Sequence, residues 1–239
     1  MVVPAGGHSL PSGNRQQNVR DFVQPRILKL AGIAALASAL ACYPRLSLWL
    51  NRPAPLWYLE TAIFFCSIVL WGFVFAWHTR YTHRPVFLFG IEPGPWVAVT
   101  LIGLVAALLF HLFLDPSLRP KLPEEYPADL KQWIAWLLFS LAFNQLFLLF
   151  APFAWSMRLF KKRWAAASLT VLFGIFVQAL KMQSSPVPIS PALLAMFMAG
   201  RIVMGFLAVW FYLRGGVMLI WWWTLLFDAR NLLNLAGNP

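Results

Sequence analysis

Acidic side chains are scarce in this chain. Its 239 residues hold 8 Asp and Glu against 19 Lys and Arg, and charged residues make up 11% in all. A soluble domain carries about 25%, so too little charge is present to keep a globule of this size in water. Cysteine is scarcer still: Cys42 and Cys66 stand alone, with no Cys-x-x-Cys spacing to hold a metal. Both fall in or beside apolar runs and read as small buried hydrophobes. The chain also lacks a phosphate-binding Walker loop, a dinucleotide glycine pattern and a serine-centred nucleophile elbow. Internal repeats and low-complexity tracts are likewise missing. The length allows one compact membrane domain and excludes a second, soluble one.

What the chain does have is hydrophobic bulk. Apolar residues reach 60%, with 13 Trp and 21 Phe, which fits a lipid-facing exterior with aromatic belts at both membrane interfaces. A span needs about 20 mostly apolar residues. Seven segments come close, at roughly 27–50, 57–77, 95–114, 132–154, 165–182, 191–212 and 215–234. The expected fold is therefore all-α, a polytopic integral membrane bundle of about seven transmembrane helices. Residues 1–26 form a polar, basic arm and 27–235 the transmembrane domain. The run beginning at Ile27 follows no small-residue cleavage site and reads as a retained span. Pro44 and Arg45 place its useful end near Tyr43. Asn51, Arg52, Pro53 and Pro55 break the chain before the second span, and Glu92, Pro93, Gly94 and Pro95 open the third. Ser184, Ser185, Pro186, Pro188 and Pro191 mark the link before the sixth. Gly215 and Gly216 separate the last two. The short apolar stretch Pro85–Ile91 is expected to lie along the interface.

The net charge of +11 falls mostly between apolar runs, where it sets topology and meets anionic headgroups rather than nucleic acid. Arg15, Arg20, Arg26 and Lys29, then Arg80 and Arg84, then Arg158, Lys161, Lys162 and Arg163, occupy the arm and alternate links. The link after the third span mixes Arg119, Lys121 and Lys131 with Asp115, Glu124, Glu125 and Asp129. The positive-inside rule then predicts a cytoplasmic N-terminus, and with seven spans the C-terminus lies outside. Arg45 and Arg52 fit that pattern less well.

Polar groups within a membrane are costly and each needs a reason. Glu60 and Lys181 sit near span ends, from which they reach headgroups. Arg201 and Asp228 have opposite signs within apolar runs, so they either pair or Arg201 reaches the interface. His111 reads as a hydrogen-bonded helix histidine or, with no second ligand in view, as a weak cofactor ligand. His78 and His83, beside Arg80 and Arg84, are expected to face headgroups.

The stretch Leu141–Met182, and more loosely residues 132–234, resembles the core of the CPBP (CAAX protease and bacteriocin-processing, Abi) intramembrane protease family. Where that family has Glu-Glu-x-x-x-Arg followed by basic residues, this chain reads Asn144-Gln145-Leu146-Phe147-Leu148-Leu149-Phe150 and then the run from Arg158 to Arg163. The family's Phe-x-x-x-His aligns with Phe173 to Val177, and its His-x-x-x-Asn/Asp with Thr224 to Asp228. The resemblance implies a water-activating site in the family, built from glutamates and histidines. Here those positions hold Asn144, Gln145, Val177 and Thr224, and amides take no proton near neutral pH. Only Phe173 and Asp228 of the motif residues persist, so no catalytic residue and no metal ligand is expected.

The resulting expectation is a pseudoenzyme: a non-catalytic accessory or scaffold subunit of a hetero-oligomeric complex. It would contact other integral membrane proteins and lipids in a bacterial inner membrane or its internal photosynthetic extension. No cofactor is required, though pigment or lipid contact is open. Asn144 and Gln145 are expected to hydrogen-bond Thr224 or Asp228, either across the former site or as ordinary interhelical bonds. Gly200, Gly205 and the alanine-rich stretches of the first and third spans are candidate lateral faces. An active intramembrane protease with a displaced site, built from Glu60, His111 and Asp228, and a small transporter subunit are the alternatives.

Overall fold

A computed structural model of the chain describes residues 24–49, 53–123, 126–183 and 190–236. Most of the arm, Asn51 and Arg52, Glu124 and Glu125, and Ser184, Ser185, Pro186 and Pro188 lie outside the described residues. All described regular structure is helical, apart from one isolated β-bridge.

Six helices are long and apolar enough to cross a membrane: α1 Pro25–Ser47, α2 Leu56–Thr82, α3 Pro93–Leu118, α4 Leu130–Phe160, α5 Arg163–Gln183 and a last tract, Pro191–Ala236. At 1.5 Å per residue that last tract would run about 69 Å as one rod, over twice the hydrocarbon thickness. It is not one rod. Gly215 (φ −141°, ψ 15°) and Gly216 (φ 63°, ψ −152°) break it. Phe211 and Trp223, which a continuous helix would hold about 18 Å apart, meet with ring centroids 5.0 Å apart. The chain therefore folds into a hairpin of α6 (191–214) and α7 (217–236), and the bundle has seven arms.

Local sequence explains the helix ends. Proline occupies the first turn of α1 and α3, where its missing N–H costs nothing. Asp129 caps α4, accepting from the Gln132 backbone N–H at 2.7 Å, while the Gln132 side chain accepts from the Ala128 N–H at 3.0 Å. Pro44 does not end α1, which continues to Ser47; the last turn tolerates a lost hydrogen bond that a helix interior would not. Four π-helical turns widen the spans: Val74–His78, Phe110–Leu114, Ser140–Asn144 and Leu146–Phe150. Pro116 and Pro152 follow two of them directly, where the wider turn relieves the clash of the ring with the preceding carbonyls.

The starts of α1, α3, α5 and α7 share one end of the bundle with the ends of α2, α4 and α6. Ile27 at the start of α1 packs beside Trp77 and Ala154 near the ends of α2 and α4. This basic end carries Arg26, Lys29, Arg80, Arg84, Arg158, Lys161, Lys162, Arg163 and Arg214, against Glu92 as the described acid. At the opposite end, Arg45 lies 4.1 Å over the Trp136 ring.

Several expectations about packing change. Pro85–Ile91, at the basic end, tucks under the α6–α7 turn. The Val86 carbonyl accepts from the Val217 N–H at 3.1 Å, the Arg84 guanidinium donates to the Leu213 carbonyl at 2.7 Å, and Phe87 lies against Trp71 and Trp221. The α6 terminal carbonyls and the break at Gly216 leave backbone groups in need of partners, and this segment supplies them. Gly200 and Gly205 face inward: a Cβ there would press on Phe110 of α3 and Val171 of α5. Ala31, Ala35 and Ala39 of α1 are buried, as are Gly103 and Ala107 of α3. The small residues let the bundle's own helices approach.

Tryptophan does more than form belts. Only Trp49, Trp57, Trp155, Trp164 and Trp210 are exposed, two near one end and three near the other. The remaining tryptophans are wholly or partly buried, and several fasten one helix to another. Trp71 donates to Ser38 at 3.0 Å, Trp222 to Thr100 at 2.9 Å and Trp221 to the Leu141 carbonyl at 2.9 Å. That carbonyl lies in a π turn.

Candidate functional site

The polar side chains of the apolar runs gather along one face of α7. Thr224, Asp228 and Asn231 recur at helical spacing on it, with Arg230 beside them, and they look towards α3 and α4.

Midway along the face, Gln145 donates from Nε2 to the Thr224 hydroxyl at 2.9 Å. Gln145 is the single residue between two π turns of α4, and that irregularity turns it towards α7. Asn144, half-buried, ends the first of those turns. One turn further along α7, Trp133 donates to the backbone carbonyl of Asp228 at 2.9 Å. Three spaced hydrogen bonds, from Trp133, Gln145 and Trp221, thus stitch α4 to the last hairpin.

Beyond them lies a cluster of charges. Asp115, at the end of α3, is 3% exposed and Arg230 13%. Arg230 Nε donates to Asp115 Oδ2 at 3.2 Å, and Tyr126 Oη donates to Asp115 Oδ1 at 3.0 Å. Arg230 also donates to the Phe227 carbonyl at 2.8 Å and lies over the Phe227 ring at 3.9 Å. Its Nη1 stands 3.9 Å from Asp228 Oδ1. Arg201 acts on the same carboxylate electrostatically, less strongly than Arg230, with its guanidinium 5.2 Å over the Phe197 ring. His111 Nδ1 is 4.0 Å from Asp115 Oδ2, one helical turn away. Arg230 thus neutralises Asp115 inside the seam and also faces Asp228, the arrangement that makes buried charge tolerable, while Arg201 is exposed at its edge.

Sequence reasoning picked out Arg201, Asp228, Gln145, Thr224 and His111, and the seam holds all five. It weighed a pair of Arg201 with Asp228 and did not foresee Arg230, whose Nη1 lies 3.9 Å from Asp228 Oδ1. It missed Asp115, counted only as a charge of the following link, and Tyr126. The available signal was the His111–Asp115 spacing of one turn ahead of Pro116. Glu60 is not part of the seam. It lies half-buried on α2. His78 does not face headgroups: the π turn it ends carries it into the core, 1% exposed, with its ring 4.7 Å from that of Tyr212. His83 is exposed in a left-handed cap, and Lys161, Lys162 and Arg163 are exposed at the basic end with Arg158 partly so.

The seam can hold helices in register and can bind water at its edges. The Oδ1 of Asn231, the Nδ2 of Asn234 and the Nδ1 of His111 are buried without a hydrogen-bond partner among the described residues. Among those residues no three His, Cys, Asp or Glu side chains converge as a metal site would require. Comparison with protein-family models, with curated proteins and with solved structures finds no match for this chain.

Proposed function

We propose that this protein is a non-catalytic integral membrane subunit that binds and stabilises other membrane components of a larger complex. The observation that carries the reading is the state of the seam. Its carboxylates are engaged by arginines and a tyrosine, and its mid-membrane contact is an amide on a hydroxyl. A general base needs a free lone pair near a reacting proton; these groups are spent on joining helices. The resemblance of residues 132–234 to CPBP proteases, with Asn144 and Gln145 where that family has glutamates, is read in the same sense, as a pseudoprotease. Membrane subunits of this kind present broad apolar faces, and exposed Leu36, Leu40, Leu101, Leu108, Phe176 and Val203 supply them. The basic end faces the cytoplasm of a bacterial inner membrane, or its internal photosynthetic extension, by the positive-inside rule.

The test is purification from the native membrane in mild detergent, with mass spectrometry and absorbance on what accompanies the chain. A stoichiometric set of other membrane subunits supports the proposal. A solitary chain that cleaves peptides, with cleavage lost in a His111→Ala variant, overturns it and restores the protease reading.

A further inference from the structure

Between α2, α4 and α5 lies a cavity of about 250 Å³, open along the outer surface of the bundle. Leu70, Phe73, Phe147, Pro152, Leu169 and Phe173 form its walls, with Trp155 and Ser156 nearest the basic end. Its depth can be read from α4. Ser156 is four residues from Phe160 and Phe147 thirteen, so at 1.5 Å per residue the groove runs from about 6 Å to about 20 Å below the helix end. One leaflet of hydrocarbon is about 15 Å thick. The groove therefore spans the depth of an acyl chain.

Two observations point to its occupant. The walls are apolar, with Ser156 carrying the one hydroxyl, so the occupant's body is hydrocarbon. Directly above the mouth, the two-residue turn joining α4 to α5 presents Lys161 and Lys162, flanked by Arg158 and Arg163, with no acid nearer than the next helices. Lys161 is held there in a left-handed conformation, φ 55°. Arg158 is stacked over the Trp77 ring at 4.4 Å, which leaves the three exposed cations Lys161, Lys162 and Arg163 to match a single anionic phosphate with a chain beneath it.

We infer that this groove is a specific site for an anionic phospholipid, which places one acyl chain between α2, α4 and α5 and its phosphate against Lys161, Lys162 and Arg163. The site lies on the opposite side of α4 from the seam, so the two are independent.

The experiment uses the full chain in nanodiscs of phosphatidylglycerol and phosphatidylcholine mixed equally, with retained lipid counted by native mass spectrometry after release. The wild type should keep one phosphatidylglycerol per chain, at least about tenfold over phosphatidylcholine. Lys162→Gln with Arg163→Gln should erase that preference, since two headgroup charges together are worth about thirtyfold. Leu169→Trp fills the slot without touching charge and should abolish retention of both lipids. Equal retention of the two lipids by the wild type overturns the proposal. So does undiminished retention by Leu169→Trp, or an isoprenoid or pigment in the native extract in place of phospholipid. If the tryptophan variant does not fold, the wild-type ratio decides by itself.

Discussion

Replacing Gly216 by alanine should be among the most damaging single changes in this protein. Its backbone, φ 63° and ψ −152°, lies in a region essentially reserved for glycine, and a residue with a Cβ pays about 1–3 kcal/mol there. The Cβ would also collide with the Val86 carbonyl oxygen. That atom is backbone and cannot swing aside, so the latch must part. Parting breaks the Val217 N–H bond to Val86, worth about 1 kcal/mol net and more where water is excluded. The sum is about 2–4 kcal/mol, a large share of the stability of a typical domain. Equilibrium unfolding in mixed SDS micelles, followed by the tryptophan fluorescence, measures it. Gly215→Ala is no mild change either: φ is −141°, but the new Cβ would collide with both Cγ and Cδ1 of the fully buried Leu219, which must repack. Gly174→Ala, where nothing lies within 4 Å, should be neutral or slightly stabilising. If Gly216→Ala costs no more than Gly174→Ala, the latch is not what holds the hairpin.

Other outcomes follow from the seam and the core. Asp115→Ala strands the largely buried Arg230 and should cost about 2–4 kcal/mol, whereas Asp115→Leu combined with Arg230→Met should recover most of that loss in the same unfolding assay. A double-mutant cycle on Gln145→Leu and Thr224→Val should give a coupling of about 0.5–1.5 kcal/mol; zero coupling would mean their 2.9 Å contact does not hold α4 to α7. Gly205→Leu should separate α6 from α5 and destabilise the monomer by about 1–3 kcal/mol. An unchanged monomer that loses a partner instead would return Gly205 to the outer surface.

The helices were legible because length, apolar runs and proline or glycine punctuation act locally. Gly215 and Gly216 marked the hairpin even though helical geometry runs up to both sides of them. The pairing of Gln145 with Thr224 was anticipated from the motif resemblance, which set Asn144 and Gln145 against Thr224 or Asp228, and from the few groups in such a bundle that can satisfy an amide. The partner of Arg230 was not, because Asp115 lies 115 residues away and borders a polar link. The register of His78 was hidden for another reason: a π turn shifts the face of every later residue, and nothing in Val74–His78 announces one. Gly200 and Gly205 illustrate a general ambiguity. Small residues in a span permit close approach, and the sequence does not say whether the neighbour is another part of the chain or another protein.

The latch joining Val86 to Val217 has a consequence for biogenesis. Its two halves are separated by 131 residues, which a ribosome working at 5–20 residues per second makes in about 7–26 s. Through that interval α1 to α5 can insert, but the Val86 carbonyl and the aromatic socket around Phe87 wait for the hairpin that completes them. The final hairpin therefore acts as the closing step of insertion. A chain stalled or truncated before residue 217 would carry an open backbone edge at the membrane surface, where quality-control proteases recognise unfinished proteins.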